Sequence, residues 1–263
     1  MREFAYERMT GFGSAFPFYL VIDVSPSMND EITVKGETFS ALDDIKEWTA
    51  ALMVLLREGA YSGTTAAQSL AFSHEDYHQI YERGLFSIVA FGDQVETILP
   101  LTAIHRLSHF DIGKSLQKAH EKQSSTHYGT AFQYLLEVLN QDDQYLSNHY
   151  SDRSRPAVFF ITDGKPKDRG WRSSYDQLSK PAYSPGIAAL GFGHAKTHTI
   201  ARIATRSHGG TGFVQSIGVD GSHGVIGHVF EFIINSVALS SRGKKFTTPG
   251  GLPGFDYVPA KGY

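Results

Sequence analysis

Residues 18–28 read FYLVIDVSPSM: five apolar residues lead directly to Asp23, and Ser25 and Ser27 follow at alternate positions. An unbroken apolar run is typical of a strand that is covered on both faces, as in a parallel sheet flanked by helices. Ligands of such sheets bind at the carboxyl ends of the strands. The sequence therefore predicts a buried strand that ends in an oxygen-rich loop.

Three further apolar runs end abruptly in polar or glycine residues and alternate with segments of helical period: FSIVAF (86–91), VFFIT (158–162) and IAALGF (187–192). This alternation predicts an α/β fold, a doubly wound open sheet that is mostly parallel, with helices on both faces. VETILPL (95–101) alternates in polarity after a Gly-Asp turn, which indicates a hairpin onto one antiparallel edge strand. TGFVQ (211–215) is expected to add another strand.

Apolar residues at helical spacing predict five helices, over residues 39–58, 112–122, 131–139, 199–207 and 225–240. One core is sufficient for a chain of 263 residues.

The domain division follows from composition. We expect an N-terminal arm (1–15), one domain (16–242) and a tail (243–263) that is rich in glycine and proline. Residues 59–84 are expected to be a partly helical insertion in the domain. The tail is either loose or packed on the domain.

Composition argues against several functions. The formal net charge is −3, and no basic run supplies the footprint that nucleic acid needs. The chain has no cysteine, which excludes disulfides, thiolate metal sites and a cysteine nucleophile, and suits a reducing cytosol. The first residues do not resemble a secretory signal, and no apolar window is long enough for a membrane span. We expect a cytoplasmic protein without a membrane span.

Two more loops carry oxygen ligands. VFFIT ends at Asp163, and Gly164 permits a sharp turn there. Thr130 follows Gly129 at the start of a helical segment. If the loops converge, these oxygens together with Asp23, Ser25 and Ser27 suit Mg²⁺, or else Mn²⁺ or Ca²⁺.

The order DVSPS (23–27), Thr130 and Asp163 resembles the metal-ion-dependent adhesion site of von Willebrand factor type A domains, written D-x-S-x-S, then T, then D. The resemblance implies that Ser25 and Ser27 contact the metal directly, that Thr130 does so directly or through water, and that the two aspartates act mainly through bound waters. Pro26 and Tyr128-Gly129 depart from the usual glycines, but neither change removes an oxygen.

The resemblance further implies a non-enzymatic interaction module, in which an Asp or Glu of a partner protein completes the metal shell. The finer pattern, including HYGTAF (127–132) and VFFITDGKPKD (158–168), is most similar to bacterial TerY-type proteins of tellurite resistance. That likeness implies a cytoplasmic stress or signalling complex with a phosphatase or kinase. The resemblance to von Willebrand factor type A domains also implies that a change of metal coordination can shift the last helix (225–240).

Two alternatives stay open. HEDYH (74–78) matches the H-E-x-x-H pattern of zinc hydrolases, although the sequence offers no convincing third ligand. The second alternative is a scaffold whose metal site is vestigial. A G-x-S-x-G elbow and a phosphate-binding loop are both absent from the sequence, so we expect no enzyme activity.

Overall fold

The computed structural model describes residues 14–34, 37–61, 70–180, 184–193, 195–204, 210–215, 225–242 and 245–259. Its strands are β1 (Ser14–Asp23), β2 (Glu31–Val34), β3 (Glu37–Ser40), β4 (Ala60–Tyr61), β5 (Leu70–Ala71), β6 (Gly84–Phe91), β7 (Val95–Ala103), β8 (Asp152–Arg153), β9 (Ala157–Thr162), β10 (Gly186–Gly191), β11 (Gly212–Gln215) and β12 (Phe255–Val258). Its α-helices are α1 (Ala41–Glu58), α2 (His74–Arg83), α3 (Ile112–His120), α4 (Tyr128–His149), α5 (Trp171–Ser179), α6 (Thr197–Ile203) and α7 (Val225–Ser241).

The main sheet has eight strands in the order β12-β11-β10-β9-β1-β6-β7, and β8 pairs with the start of β1. β1 is central and runs parallel to both β6 and β9. Nearly every residue of β1 is buried, as its unbroken apolar sequence predicts. The predicted strands at 86–91, 158–162, 187–192 and 211–215 all belong to this sheet.

Helices cover both faces of the sheet. Alternate residues of β1 divide between the two cores, with Phe18, Leu20 and Ile22 on one side and Tyr19 and Val21 on the other. The first core includes residues of α1, α2, α3 and α7, and the second includes residues of α4, α5 and α6. This arrangement confirms the predicted doubly wound, mostly parallel α/β fold.

The sheet has antiparallel strands at both edges, one more than predicted. β7 forms the expected hairpin with β6, and β12 pairs antiparallel with β11. β12 lies in the segment that the sequence leaves as a loose or packed tail, and burial of Phe246, Leu252 and Phe255 shows that this part packs on the domain. A four-residue strand among glycines and prolines has too short a pattern to be predicted, because its pairing depends on a distant strand.

Helix boundaries shift by a few residues. α1 begins at its Ser40 cap and ends at Gly59, whose φ of 77° suits glycine. α4 is much longer than the predicted 131–139, because its second half has mainly polar residues that hide the apolar period. The hairpin β2–β3 and helix α5 are not predicted from the sequence.

Parts of several predicted segments lie outside the described residues. These parts are most of the N-terminal arm, the centre of the insertion at 62–69, the end of the predicted helix 199–207, and residues 243–244 and 260–263 of the tail. The described part of the insertion contains β4, β5 and α2. Among the described residues, no helix has the length and hydrophobicity to cross a bilayer.

Candidate metal site

The site lies where β1 and β9 end side by side. The two strands are parallel, with Ile22 opposite Ile161, so Asp23 is next to Thr162 and Asp163 follows immediately. α1 and α4 lie on opposite faces of the sheet, so the chain leaves this edge toward both faces. Such a point at the carboxyl ends of strands is a crevice in which open α/β sheets bind ligands.

Asp23 is fully buried, and both of its carboxylate oxygens accept hydrogen bonds. The backbone N–H of Ser25 donates to Oδ1 at 2.9 Å, and the hydroxyl of Thr162 donates to Oδ2 at 2.6 Å. The first bond shapes the loop after β1, and the second joins that loop to the end of β9. Asp23 therefore holds the two loops together.

The serines complete a chain of contacts to the second carboxylate. Ser25 Oγ lies 3.3 Å from Ser27 Oγ, and Ser27 Oγ donates to Asp163 Oδ1 at 3.0 Å. Asp23, Ser25 and Asp163 are buried, whereas Ser27 is partly exposed. Four of the five residues proposed from the sequence are therefore together, in a cluster that opens to solvent near Ser27.

The fifth residue, Thr130, is not brought into this cluster. It lies in the first turn of α4 with an exposed side chain. The threonine at the site is Thr126, which is buried four residues earlier. Thr126 Oγ1 and Asp23 Oδ2 both lie within 3.4 Å of the position that a Cβ on Gly164 would take. The threonine of the third loop is therefore Thr126.

The loop that carries Thr126 is fixed at both ends. Its neighbour His127 donates its backbone N–H to the carbonyl of Gly92, just after β6, at 2.9 Å. The carbonyl of Thr126 accepts from the backbone N–H of Lys167 at 2.9 Å. Sequence reasoning missed Thr126 because it placed the helix start at Thr130, whereas α4 begins at Tyr128.

Asp168 explains why α4 begins there. Its carboxylate accepts from the backbone N–H of Tyr128 at 3.0 Å and from that of Gly129 at 2.6 Å, so it caps the helix from a distant loop. A Cβ on Gly129 would lie 2.4 Å from Asp168 Oδ2, so glycine is needed for this contact. Gly129 is therefore required for the contact between Asp168 and the start of α4, and it does not serve to position a metal ligand.

The side chain of Tyr128 holds the residues around Asp163 in place through hydrogen bonds. Its buried hydroxyl lies 2.9 Å from Thr162 Oγ1 and donates to the carbonyl of Gly164 at 3.1 Å. Burial raises the pKa of this phenol well above its ordinary value, so it remains protonated and can donate. The Tyr128 that replaces a usual glycine thus ties together the residues on both sides of Asp163.

The two carboxylates are electrostatically uncompensated. Burial and, to a smaller extent, the nearby negative charge of Asp23 together raise the pKa of Asp163 to about 7, although the Ser27 hydrogen bond has a lowering effect. Burial also raises the pKa of Asp23, although hydrogen bonds from Ser25 and Thr162 oppose this effect. In the described part of the chain, no ion pair joins either carboxylate to a basic side chain.

This donor set fits a hard divalent cation. Two buried acids without a counter-charge are costly in their ionised form, and a cation between them would remove that cost. The described residues contain no group of three or more His, Asp or Glu side chains suited to a metal. A cation at this site therefore depends on the hydroxyls of Ser25, Ser27 and Thr126 and on water for the rest of its shell.

The H-E-x-x-H segment forms the first part of α2, so His74 and His78 have the helical spacing of zinc ligands. Both side chains are exposed, and His78 lies 3.4 Å from Glu82. The described residues place no third ligand beside them. Nothing in this geometry favours a zinc centre on α2.

The chain is a doubly wound α/β domain with a cluster of buried carboxylates and serine hydroxyls at the carboxyl ends of its central strands. The family model of the von Willebrand factor type A domain matches residues 18–165. The chain belongs to this family. Comparison with curated protein sequences gives no significant match.

Three solved structures are similar to this chain. A von Willebrand factor type A protein from Catenulispora acidiphila aligns with a TM-score of 0.50 at 14% identity, over 86% of this chain and 43% of its own. Proximal thread matrix protein 1 from the mussel byssus, in a form titled as having a zinc-occupied MIDAS motif, aligns with a TM-score of 0.41 at 17% identity, over 73% and 42%. Manganese-loaded Plasmodium vivax TRAP protein aligns with a TM-score of 0.39 at 13% identity, over 70% and 60%.

The chain spans less than half the length of the first of these structures. The zinc and the manganese belong to those two proteins, and the likeness to them is too distant for an argument about ligands.

Proposed function

We propose that this domain binds one divalent cation, Mg²⁺ in the first place and otherwise Mn²⁺ or Ca²⁺, and that the cation binds an Asp or Glu of a partner protein. The observation that carries the proposal is the pair of buried carboxylates, Asp23 and Asp163, linked through serine hydroxyls and without a basic partner. Membership of the von Willebrand factor type A family supports it, because domains of this family commonly serve as metal-dependent interaction modules.

The proposed neutral and charged ligands contact the cation in different ways. The neutral hydroxyls of Ser25, Ser27 and Thr126 are direct ligands, and the aspartates act mainly through bound waters. Asp23 fits the indirect role because both of its oxygens already accept hydrogen bonds within the chain. Neutral ligands leave much of the cation's charge uncompensated, so the cation attracts a carboxylate from outside.

The proposed module is not an enzyme, and its proposed setting is the cytoplasm. The absence of cysteine suits that setting. The likeness of residues 158–168 to TerY-type proteins is the basis for placing it in a bacterial stress or signalling complex with a phosphatase or kinase.

A capture experiment tests the proposal. Immobilised protein is exposed to an extract of its own host cells in Mg²⁺ and then eluted with EDTA. The expected result is a partner that EDTA releases and that Asp23→Ala never retains. The matched control replaces His74 and His78 with alanine and should retain the partner in full.

Two results would contradict the proposal. A partner that resists EDTA and still binds Asp23→Ala would indicate the scaffold with a vestigial site. A partner or a bound metal that is lost only with the two histidines would indicate the zinc alternative.

A further inference from the structure

We propose that the partner of this domain is an acidic polypeptide segment, and that the loop after Asp163 binds its additional carboxylates. The inference rests on the proposed function, because the first carboxylate of the segment is the one that the cation binds. Residues 164–172, GKPKDRGWR, comprise this loop and the first two residues of α5, and are together called the basic loop below.

The basic loop concentrates positive charge in a chain whose formal net charge is −3. It has four basic residues and one acid, and all four basic side chains are exposed: Lys165, Lys167, Arg169 and Arg172. In the described part of the chain none of the four takes part in an ion pair. The carboxylate of the acid, Asp168, accepts hydrogen bonds from backbone N–H groups at the start of α4. The positive charge is therefore free to meet a ligand.

The backbone of the loop is held in place beside the metal site. The carbonyl of Gly164 accepts from Tyr128, the N–H of Lys167 donates to Thr126, and the carboxylate of Asp168 caps α4. Lys165 and Arg169, which flank these anchors, remain exposed. A fixed backbone limits the ordering cost when a ligand binds, so the cations are partly preorganised.

Charge around the site is asymmetric. In the sheet, β1 lies between β9, which the basic loop follows, and β6, which the acid Asp93 follows. An acidic segment whose carboxylate reaches the cation is repelled on the side of β6 and attracted toward α5. A polypeptide suits this arrangement better than nucleic acid, because one short loop amid a net negative surface does not supply a phosphate-tracking footprint.

Two fluorescent peptides test the inference with the full chain and Mg²⁺. One is a short glycine-serine peptide with a single aspartate, and the other carries extra glutamates after that aspartate. We expect the wild type to bind the second about tenfold more tightly, from a few exposed ion pairs. The preference should weaken as salt rises, because exposed pairs are screened.

The test variant combines Lys165→Gln, Lys167→Gln and Arg169→Gln. It should lose the preference for the second peptide and keep its affinity for the first, which also shows that it is folded. The control variant makes the same charge change elsewhere, on α3 and just after α5, and should keep the preference: Lys114→Gln, Lys118→Gln and Lys180→Gln.

Each contrary outcome has a distinct meaning. If EDTA leaves the binding of both peptides unchanged, the proposed function is wrong. If EDTA abolishes binding but the wild type binds both peptides equally, or the test and control variants behave alike, the basic loop does not bind the partner. If a single-stranded oligonucleotide of equal charge binds better than the glutamate peptide, the occupant is not an acidic polypeptide.

Discussion

Asp163 at the metal site and Asp76 on α2 have almost the same solvent exposure, 6% and 4%, but Asp163 lies deeper in the protein, and their pKa values move in opposite directions. The pKa of Asp76 is lowered, chiefly because Arg242 after α7 donates to it, with Nη2 at 2.6 Å from Oδ2, and Ser73 adds a further bond. The pKa of Asp163 is raised to about 7, because it is buried beside another acid.

The difference lies in whether the fold supplies a positive charge. Arg242 joins α7 to α2 and makes Asp76 a structural residue, since it satisfies the carboxylate within the chain. Among the described residues, the side-chain donor to Asp163 is the hydroxyl of Ser27. A buried acid without a basic partner is a candidate for binding an external cation, and solvent exposure alone does not separate it from an acid such as Asp76.

The largest expected effect is a gain in stability on Mg²⁺ binding that depends on Asp163 and not on Asp76. Mg²⁺ at about one hundred times its Kd should raise the free energy of unfolding of the wild type by about 2.7 kcal/mol. Asp163→Asn should gain nothing from Mg²⁺, whereas Asp76→Asn should show the full increase. Urea unfolding with and without Mg²⁺ measures both, and an equal gain in the two variants would remove the distinction.

The pH dependence should follow the raised pKa. Mg²⁺ requires an ionised Asp163, so its apparent affinity should fall about tenfold per pH unit below the pKa of about 7. Without metal, the unfolded chain ionises near the ordinary value of 3.8 while the folded chain does not. The contribution of Asp163 to stability is therefore present below about 4 and is lost as pH rises toward 7.

Magnesium titrations and urea unfolding across this pH range provide the measurement. The difference between wild type and Asp163→Asn isolates this residue, because Asp76, with its lowered pKa, contributes with the opposite sign as pH falls. An Mg²⁺ affinity that is flat between pH 5 and 7, about two units below and up to the pKa, would contradict the prediction.

The structural acid has a closely matched control. Ser73–Asp76 begins α2 and Ser40–Asp43 begins α1, and in both pairs the serine accepts the aspartate N–H and donates to its carboxylate. In the described part of the chain, the ion pair of Asp43 is with Lys46 of its own helix. Asp76→Ala should therefore destabilise the fold by about 2 kcal/mol and Asp43→Ala by roughly half as much. Neither should change Mg²⁺ affinity, and equal losses would show that the contact with Arg242 adds nothing.

The smallest expected effect is a change in Mg²⁺ affinity that distinguishes Thr126 from Thr130. Thr126→Val should weaken Mg²⁺ binding about tenfold, as expected for one lost oxygen ligand of a hard cation. Thr130→Val should leave it unchanged, because that side chain is exposed on α4. Isothermal titration calorimetry distinguishes the two, and the reverse ranking would restore Thr130 as the ligand.

The main features of the fold could be predicted because they depend on local pattern. The runs of β1, β6, β9 and β10 are almost entirely apolar, with Ser87 as an interruption in β6, since both faces of each strand are covered. β12 and α5 could not be predicted in this way. Their residues are mixed in polarity, and their positions depend on partners far away in the chain.

For the site, the sequence by itself determined which loops meet, because the ends of adjacent parallel strands lie at one edge whatever their side chains are. Asp23, Ser25, Ser27 and Asp163 follow from that rule. Only the tertiary structure decided between Thr126 and Thr130, since Asp168, from another loop, sets where α4 begins. The tertiary structure also decided which buried acids have a basic side chain as partner, because Arg242 is separated from Asp76 by 166 residues of sequence.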